Sequence, residues 1–155
     1  MIEWKFNPED YNPNRFELVP PGDYRVRIED AEEQTSKTGK PMIKITLKVS
    51  GYEGNIWNYM VFINDTPERK RMTNDNLGRI FDSFGIPQGD LNLEHWKGKV
   101  GAAHVKNEPD DKNNMRAKIG YFIQRDKQDS LPMWQEHRAA RINPEMVNPE
   151  APIPF

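Results

Sequence analysis

The sequence predicts a mainly β protein with one helix set between its third and fourth strands. Three observations predict it. Residues 24–28 and 43–49 alternate apolar and polar side chains with the period of two that marks half-buried strands. The stretch from Thr66 to Gly85 alone changes to three- and four-residue spacing, between a threonine–proline start and a glycine stop. Two further strand-like stretches follow it, joined by a polar turn.

Taken in order, residues 1–20 are broken by Pro8, Pro13 and Pro20 and read as an irregular arm, packed onto the domain by Trp4, Phe6 and Phe16. The first strand opens at "PPGDYRVRIEDAEE", with Tyr24, Val26 and Ile28 inward and Arg25, Arg27 and Glu29 outward. A turn around Gly39 leads to "MIKITLKV", where Ile43, Ile45, Leu47 and Val49 oppose Lys44, Thr46 and Lys48. After "SGYEGN" comes "IWNYMVFI", a third strand rich in aromatic and β-branched residues. Leu77, Ile80, Phe81 and Phe84 then give the helix its apolar stripe, with Thr66 as N-cap, Pro67 at the first turn and Gly85 as stop. "GKVGAAHVK" and "MRAKIGYFIQR" supply strands four and five, and "LPMWQEHRAAR" a short terminal helix. Three strands, a helix and two strands is the element order of a five-stranded oligonucleotide-binding (OB) barrel. The expected layout is an arm at 1–20, an OB-fold domain at 21–128, a terminal helix at 129–142 and a flexible acidic, proline-rich tail at 143–155.

The bulk composition bounds the function. At 155 residues, 35% hydrophobic and 30% charged, with a mean hydropathy of -0.91, the chain fits one domain with a lean core. It holds no cysteine, which removes disulfides, thiolate metal sites and cysteine nucleophiles. No apolar run approaches a membrane span and "MIEWKF" is not a signal peptide, so a cytoplasmic location is expected, with no membrane partner. The net charge of -2 hides an uneven distribution. Lys37, Lys40, Lys44 and Lys48 follow one another without an intervening acid, while the segment after Arg141 carries negative charge only.

No catalytic constellation stands out. His95, His104 and His137 fall in separate elements without a ligand spacing, and no metal or cofactor is expected. Asp82, Asp90, Asp110 and Asp111 would have to converge in space to serve a metal-dependent nuclease, and their spacing does not suggest it. "SKTGKP" lacks the glycine spacing and following helix of a phosphate loop.

The outward parity points elsewhere. Arg25, Arg27, Lys44 and Lys48 share one face of strands one and two, with Lys37 and Lys40 at the hairpin tip. On strand five, Arg116 and Lys118 lie outside and Ala117, Ile119 and Tyr121 inside, which puts Phe122 with Lys118. Strand three is apolar on both parities: Ile56, Met60 and Phe62 against Trp57, Tyr59 and Val61. Single-stranded nucleic acid needs cations along its phosphates and flat rings under its bases, and this set supplies both. The same pattern also fits a solvated lysine face with Trp57 in the core or beneath the arm.

Two resemblances add to this. The stretch "FELVPPGDYRVRIEDAEEQTSKTGKPMIKITLKVSGYEGNIWNYMVF", with "FDSFGI" and "WKGKVGAAHVKNE" after it, resembles a bacteriophage family regarded as single-stranded-DNA-binding or recombination-associated and long carried as a domain of unknown function. The likeness covers about residues 16–125. The final "APIPF" resembles the tip of bacterial single-stranded-DNA-binding proteins, a docking peptide for replication and repair proteins. It implies that Ile153, Pro154 and Phe155 bind such partners, and Pro152 is counted with them in the docking segment, although Ala151-Pro152 stands where that family has aspartates.

The expectation is a non-enzymatic protein that coats single-stranded DNA during phage replication or recombination. Arg25, Arg27, Lys44, Lys48, Arg116 and Lys118 would meet phosphates, Trp57, Tyr59 and Phe122 would stack bases, and Lys37 and Lys40 would close over the strand. Replication or recombination proteins are the expected tail partners, and a homodimer is compatible with the sequence. The alternative is an OB-like accessory factor of a phage recombinase that binds an acidic protein and not DNA.

Overall fold

The structure is a computed structural model that describes residues 1–11 and 18–136. Its elements are β1 (Gly22–Thr35), β2 (Pro41–Val49), β3 (Asn55–Val61), α1 (Pro67–Phe84), β4 (Val100–Pro109) and β5 (Met115–Phe122). All pairings are antiparallel, in one sheet ordered β3-β2-β1-β4-β5. The helix therefore lies between β3 and β4 in the chain. The fold is mainly β, as the periodicity indicates.

The inward faces are those the alternation marks. Val26, Ile28, Ile45, Leu47, Val49 and Val105 are completely buried. Each such side chain contributes about 1.5–3 kcal/mol by leaving water. Helix α1 begins where Thr66 Oγ1 accepts the Arg69 amide at 3.1 Å and ends at Gly85, whose φ of 65° is left-handed. Its buried face, Ile80, Phe81 and Phe84, packs with Trp96, whose ring meets Phe81 edge-on at 6.0 Å. Against β4 the helix comes close enough that a Cβ on Gly101 would sit 2.8 Å from both Phe84 Cδ1 and the Ser83 carbonyl oxygen. No helix among the described residues is long and apolar enough to cross a membrane.

Three expectations need correction. Trp4 and Phe6 do not pack the arm onto the domain, for they are 83% and 64% exposed. Within the arm a single turn at Pro8–Asp10 is capped by Asn7. Val19 is buried instead, while Phe16 lies outside the described residues. Residues 129–136 form no helix. Their backbone is engaged outside the segment: the Pro132 carbonyl accepts from Arg25, and Gln135 exchanges bonds with Ser50 and Gly51. The rest of the predicted terminal helix and the tail lie outside the described residues. The third correction is in β5. Its register slips by one residue between His104 and Val105, leaving Gly120 unmatched. Phe122 thereby turns inward, opposite Ala103, and its ring packs edge-on against Phe84 at 5.5 Å. Tyr121 turns outward, opposite His104, and is 54% exposed.

Candidate nucleic-acid interface

β3 and β5 are the two edges of the sheet, and the sheet curls until they come into contact range. Between them runs an open groove of about 640 Å³, lined by Ile56, Trp57 and Tyr59 on one side and by Met115, Arg116, Ala117 and Lys118 on the other. Leu18 and Val19 close part of it, so the segment entering β1 serves as one wall. Farther along the same seam, Tyr59 and Met60 face Ile119, Tyr121 and Phe122 across a second depression floored by α1.

The question left open for β3 is answered by its pairing with β2. Ile56 and Met60 pair with Leu47 and Ile43 and are buried, whereas Trp57 and Tyr59 pair with Thr46 and Lys44 on the outer face. Trp57 is 52% and Tyr59 53% exposed. The Lys44 ammonium sits 5.6 Å from the Trp57 ring centroid. An exposed cation–π contact contributes about 0.5–1 kcal/mol, less than the ~1–3 kcal/mol of a base stacked on an aromatic ring.

Across the groove the cations are held by neighbouring acids. Lys118 lies 3.6 Å from Glu108, which also holds Lys106 at 2.7 Å. Arg116 meets Asp110 at 3.0 Å. The Lys106 contact, first of all, lowers the Glu108 carboxyl below its ordinary value. Asp110 is lowered mainly by the Asn114 amide and then by Arg116, as it organises the β4–β5 turn. Both acids are half-buried at the surface, where an ion pair contributes only about 0–1 kcal/mol. At the outer edge of the seam, Tyr121 stacks on His104 with ring centroids 4.9 Å apart and an angle of 11°, and His104 Nδ1 lies 2.7 Å from Asp23. Sequence parity misses Tyr121, His104, Met115 and Lys106. Only the glycine at position 120 hints at the slip.

The other half of the expected basic face is already covered. Arg25 donates to the carbonyls of Pro132 and Gln128 at 2.8 and 3.1 Å. Arg27 pairs with Glu29 and Glu136, and its guanidinium lies 4.7 Å from the Trp134 ring centroid. Lys48 lies 3.7 Å from Glu136. Arg27 is raised and Glu136 lowered from their ordinary values, in each case chiefly by the hydrogen bond between them. At the hairpin tip, Lys37 is exposed and Lys40 sits 4.0 Å from Asp65. So Lys44, Trp57, Tyr59, Arg116 and Lys118 gather around one groove, whereas Arg25, Arg27 and Lys48 gather under the C-terminal segment. Pro152, Ile153, Pro154 and Phe155 lie outside the described residues.

Asp82, Asp90 and Asp110 are each engaged at separate places. Asp82 accepts the Arg125 amide, and Asp90 accepts from Asn92 and holds His95 at 2.8 Å. Among the described residues no three acids or histidines gather where they could hold a metal ion.

Residues 6–132 match the family described as "Protein of unknown function (DUF669)", and the chain belongs to that family. No curated protein matches it.

Proposed function

We propose that this family member binds single-stranded DNA in the groove between β3 and β5, as a partly open OB barrel without chemistry of its own. The sheet order β3-β2-β1-β4-β5, with a helix between β3 and β4 and the two edges facing each other, supports that barrel. The observation that carries the function is the pair of half-exposed rings, Trp57 and Tyr59, beside Lys44 and opposite Arg116 and Lys118. Rings for bases and cations for phosphates stand within one groove, and a duplex with its bases stacked away would not use the rings. Coating and protecting displaced strands during replication or recombination is the role such a site fits. Pro152, Ile153, Pro154 and Phe155 are assigned to docking on the proteins that act there.

The test is fluorescence titration with oligo-dT and a matched duplex at low and moderate salt. Trp57 is exposed while Trp96 is buried, so stacking should quench part of the emission. Single-strand affinity should fall with salt at a log–log slope of about -0.7 per phosphate contacted. Trp57→Ala should weaken single-strand binding by about 5- to 150-fold, the ~1–3 kcal/mol of one stacked base. Equal binding of duplex and single strand, or a Trp57→Ala variant that binds as the wild type does, refutes the reading.

A second reading has its own observation. The β1–β2 face accepts an extended peptide from this same chain, with an aromatic ring and a carboxylate on Arg27. An acidic segment of a recombinase could be held in the same manner, making the protein an accessory factor. That reading predicts indifference to Trp57→Ala and no binding to oligo-dT.

A further inference from the structure

Residues 128–136 cross the outer face of β1 and β2 in two parts of different character. The root is buried. Gln128 is 3% exposed, and its side-chain amide donates to the Ser83 and Ile123 carbonyls at 3.1 and 2.9 Å. The distal part lies on the surface and ends in contacts that resemble a nucleotide's. The Trp134 ring lies over the Arg27 guanidinium, and the Glu136 carboxylate accepts from that guanidinium while standing 3.7 Å from Lys48. A ring over one cation and an anion shared between two is what a stacked base and its phosphate would present. Two bonds with the β2–β3 connection hold the segment in place: the Gly51 amide donates to the Gln135 carbonyl, and the Gln135 amide to Ser50 Oγ, each at 2.8 Å.

We propose that residues 133–136 are a displaceable strap that occupies Arg27 and Lys48 in place of a nucleotide, and that a bound single strand lifts it to extend the site from the groove onto β1 and β2. The inference rests on the single-strand reading of the groove. Arg25, held by the backbone at the strap's root, stays with the protein, and Arg27 and Lys48 are the cations released. Because Glu136 is an anion beside the strand's path, it opposes binding until it is lifted.

The experiment uses the full chain and a Trp134→Ala/Glu136→Gln variant, titrated with oligo-dT across salt. The variant should bind several-fold more tightly. Its salt slope should be steeper by up to about 1.4, two phosphates at ~0.7 each, wherever wild type fails to lift the strap fully. The deciding measurement is amide hydrogen exchange at Gly51 in the wild type. Its exchange should accelerate when oligo-dT saturates the protein, since its acceptor is Gln135. Protection retained at saturation overturns the strap, whatever the variant's affinity. If neither protein binds oligo-dT at low salt, the single-strand reading fails and the strap falls with it. If wild type binds through Trp57 and Gly51 keeps its protection, the strap alone fails.

Discussion

Gly120 is where β5 gains a residue against β4, and one glycine there decides which of two neighbouring rings faces solvent. His104 pairs with Tyr121 and Val105 with Ile119, so the side chains on either side of the slip exchange faces. The site is crowded: a Cβ at position 120 would lie 3.2 Å from His104 Cδ2 and 3.3 Å from the His104 carbonyl oxygen. Phe122 consequently belongs to the core beside Phe84, and Tyr121 to the surface beside His104. Opposite effects follow for the two truncations. Tyr121→Ala should leave thermal stability near that of the wild type and cost single-strand affinity up to the ~1–3 kcal/mol of one stacked base. Phe122→Ala should destabilise by about 2–4 kcal/mol through lost burial and a cavity under α1, with binding reduced only as far as unfolding reduces it. Denaturant melts paired with oligo-dT titrations of each variant separate the cases. An unchanged affinity in Tyr121→Ala removes that ring from the site.

Helix α1 shows what a segment announces by itself and what only its neighbours decide. Both of its caps are local chemistry, Thr66 to the Arg69 amide and Gly85 in the left-handed region, and both are legible in the sequence. Where the helix lands is not. It seats on Gly101 of β4 with no room for a methyl group, while a Cβ on Gly78, within the helix, would meet nothing within 4 Å. Two glycine-to-alanine changes should therefore have opposite signs. Gly101→Ala overpacks the contact with Ser83 and Phe84 and should destabilise by about 1–3 kcal/mol. Gly78→Ala should stabilise by up to about 1 kcal/mol, the helix-propensity difference. Thermal melts decide, and a tolerated Gly101→Ala would mean that α1 seats elsewhere. The same division governs the strands. Period-two alternation is local, and it marks the inner faces of β1 and β2 and the outward lysines. The slips at Ile28/Asp30 and at Gly120 are settled by pairing with a distant strand, as is the exposure of Trp57 and Tyr59, and local pattern offers no more than the glycine at position 120 as a hint. The covering of Arg25, Arg27 and Lys48 depends on residues about a hundred positions away and is equally hidden from local pattern.

At the scale of the whole molecule, a net charge of -2 must be reconciled with the polyanionic ligand proposed for the groove. The reconciliation is positional. Around the groove the cations are paired with particular acids, Glu108 holding both Lys106 and Lys118. A strand entering the groove would compete with Glu108 for both lysines, and the carboxylate would repel the phosphates that replace it. Exposed charges are screened within about 8–10 Å at moderate salt, so position should matter more than the total. Glu108→Gln and Glu68→Gln provide the comparison, because each removes one negative charge and Glu68 lies in the first turn of α1. Glu108→Gln should tighten oligo-dT binding several-fold, with the gain shrinking as salt rises. Glu68→Gln should change it little under the same conditions. Equal gains from both would mean that only net charge acts on the strand, and Lys106 and Lys118 would then leave the site. A gain confined to Glu108→Gln would make the β4–β5 acid a brake on binding, parallel to Glu136 on the opposite wing of the sheet.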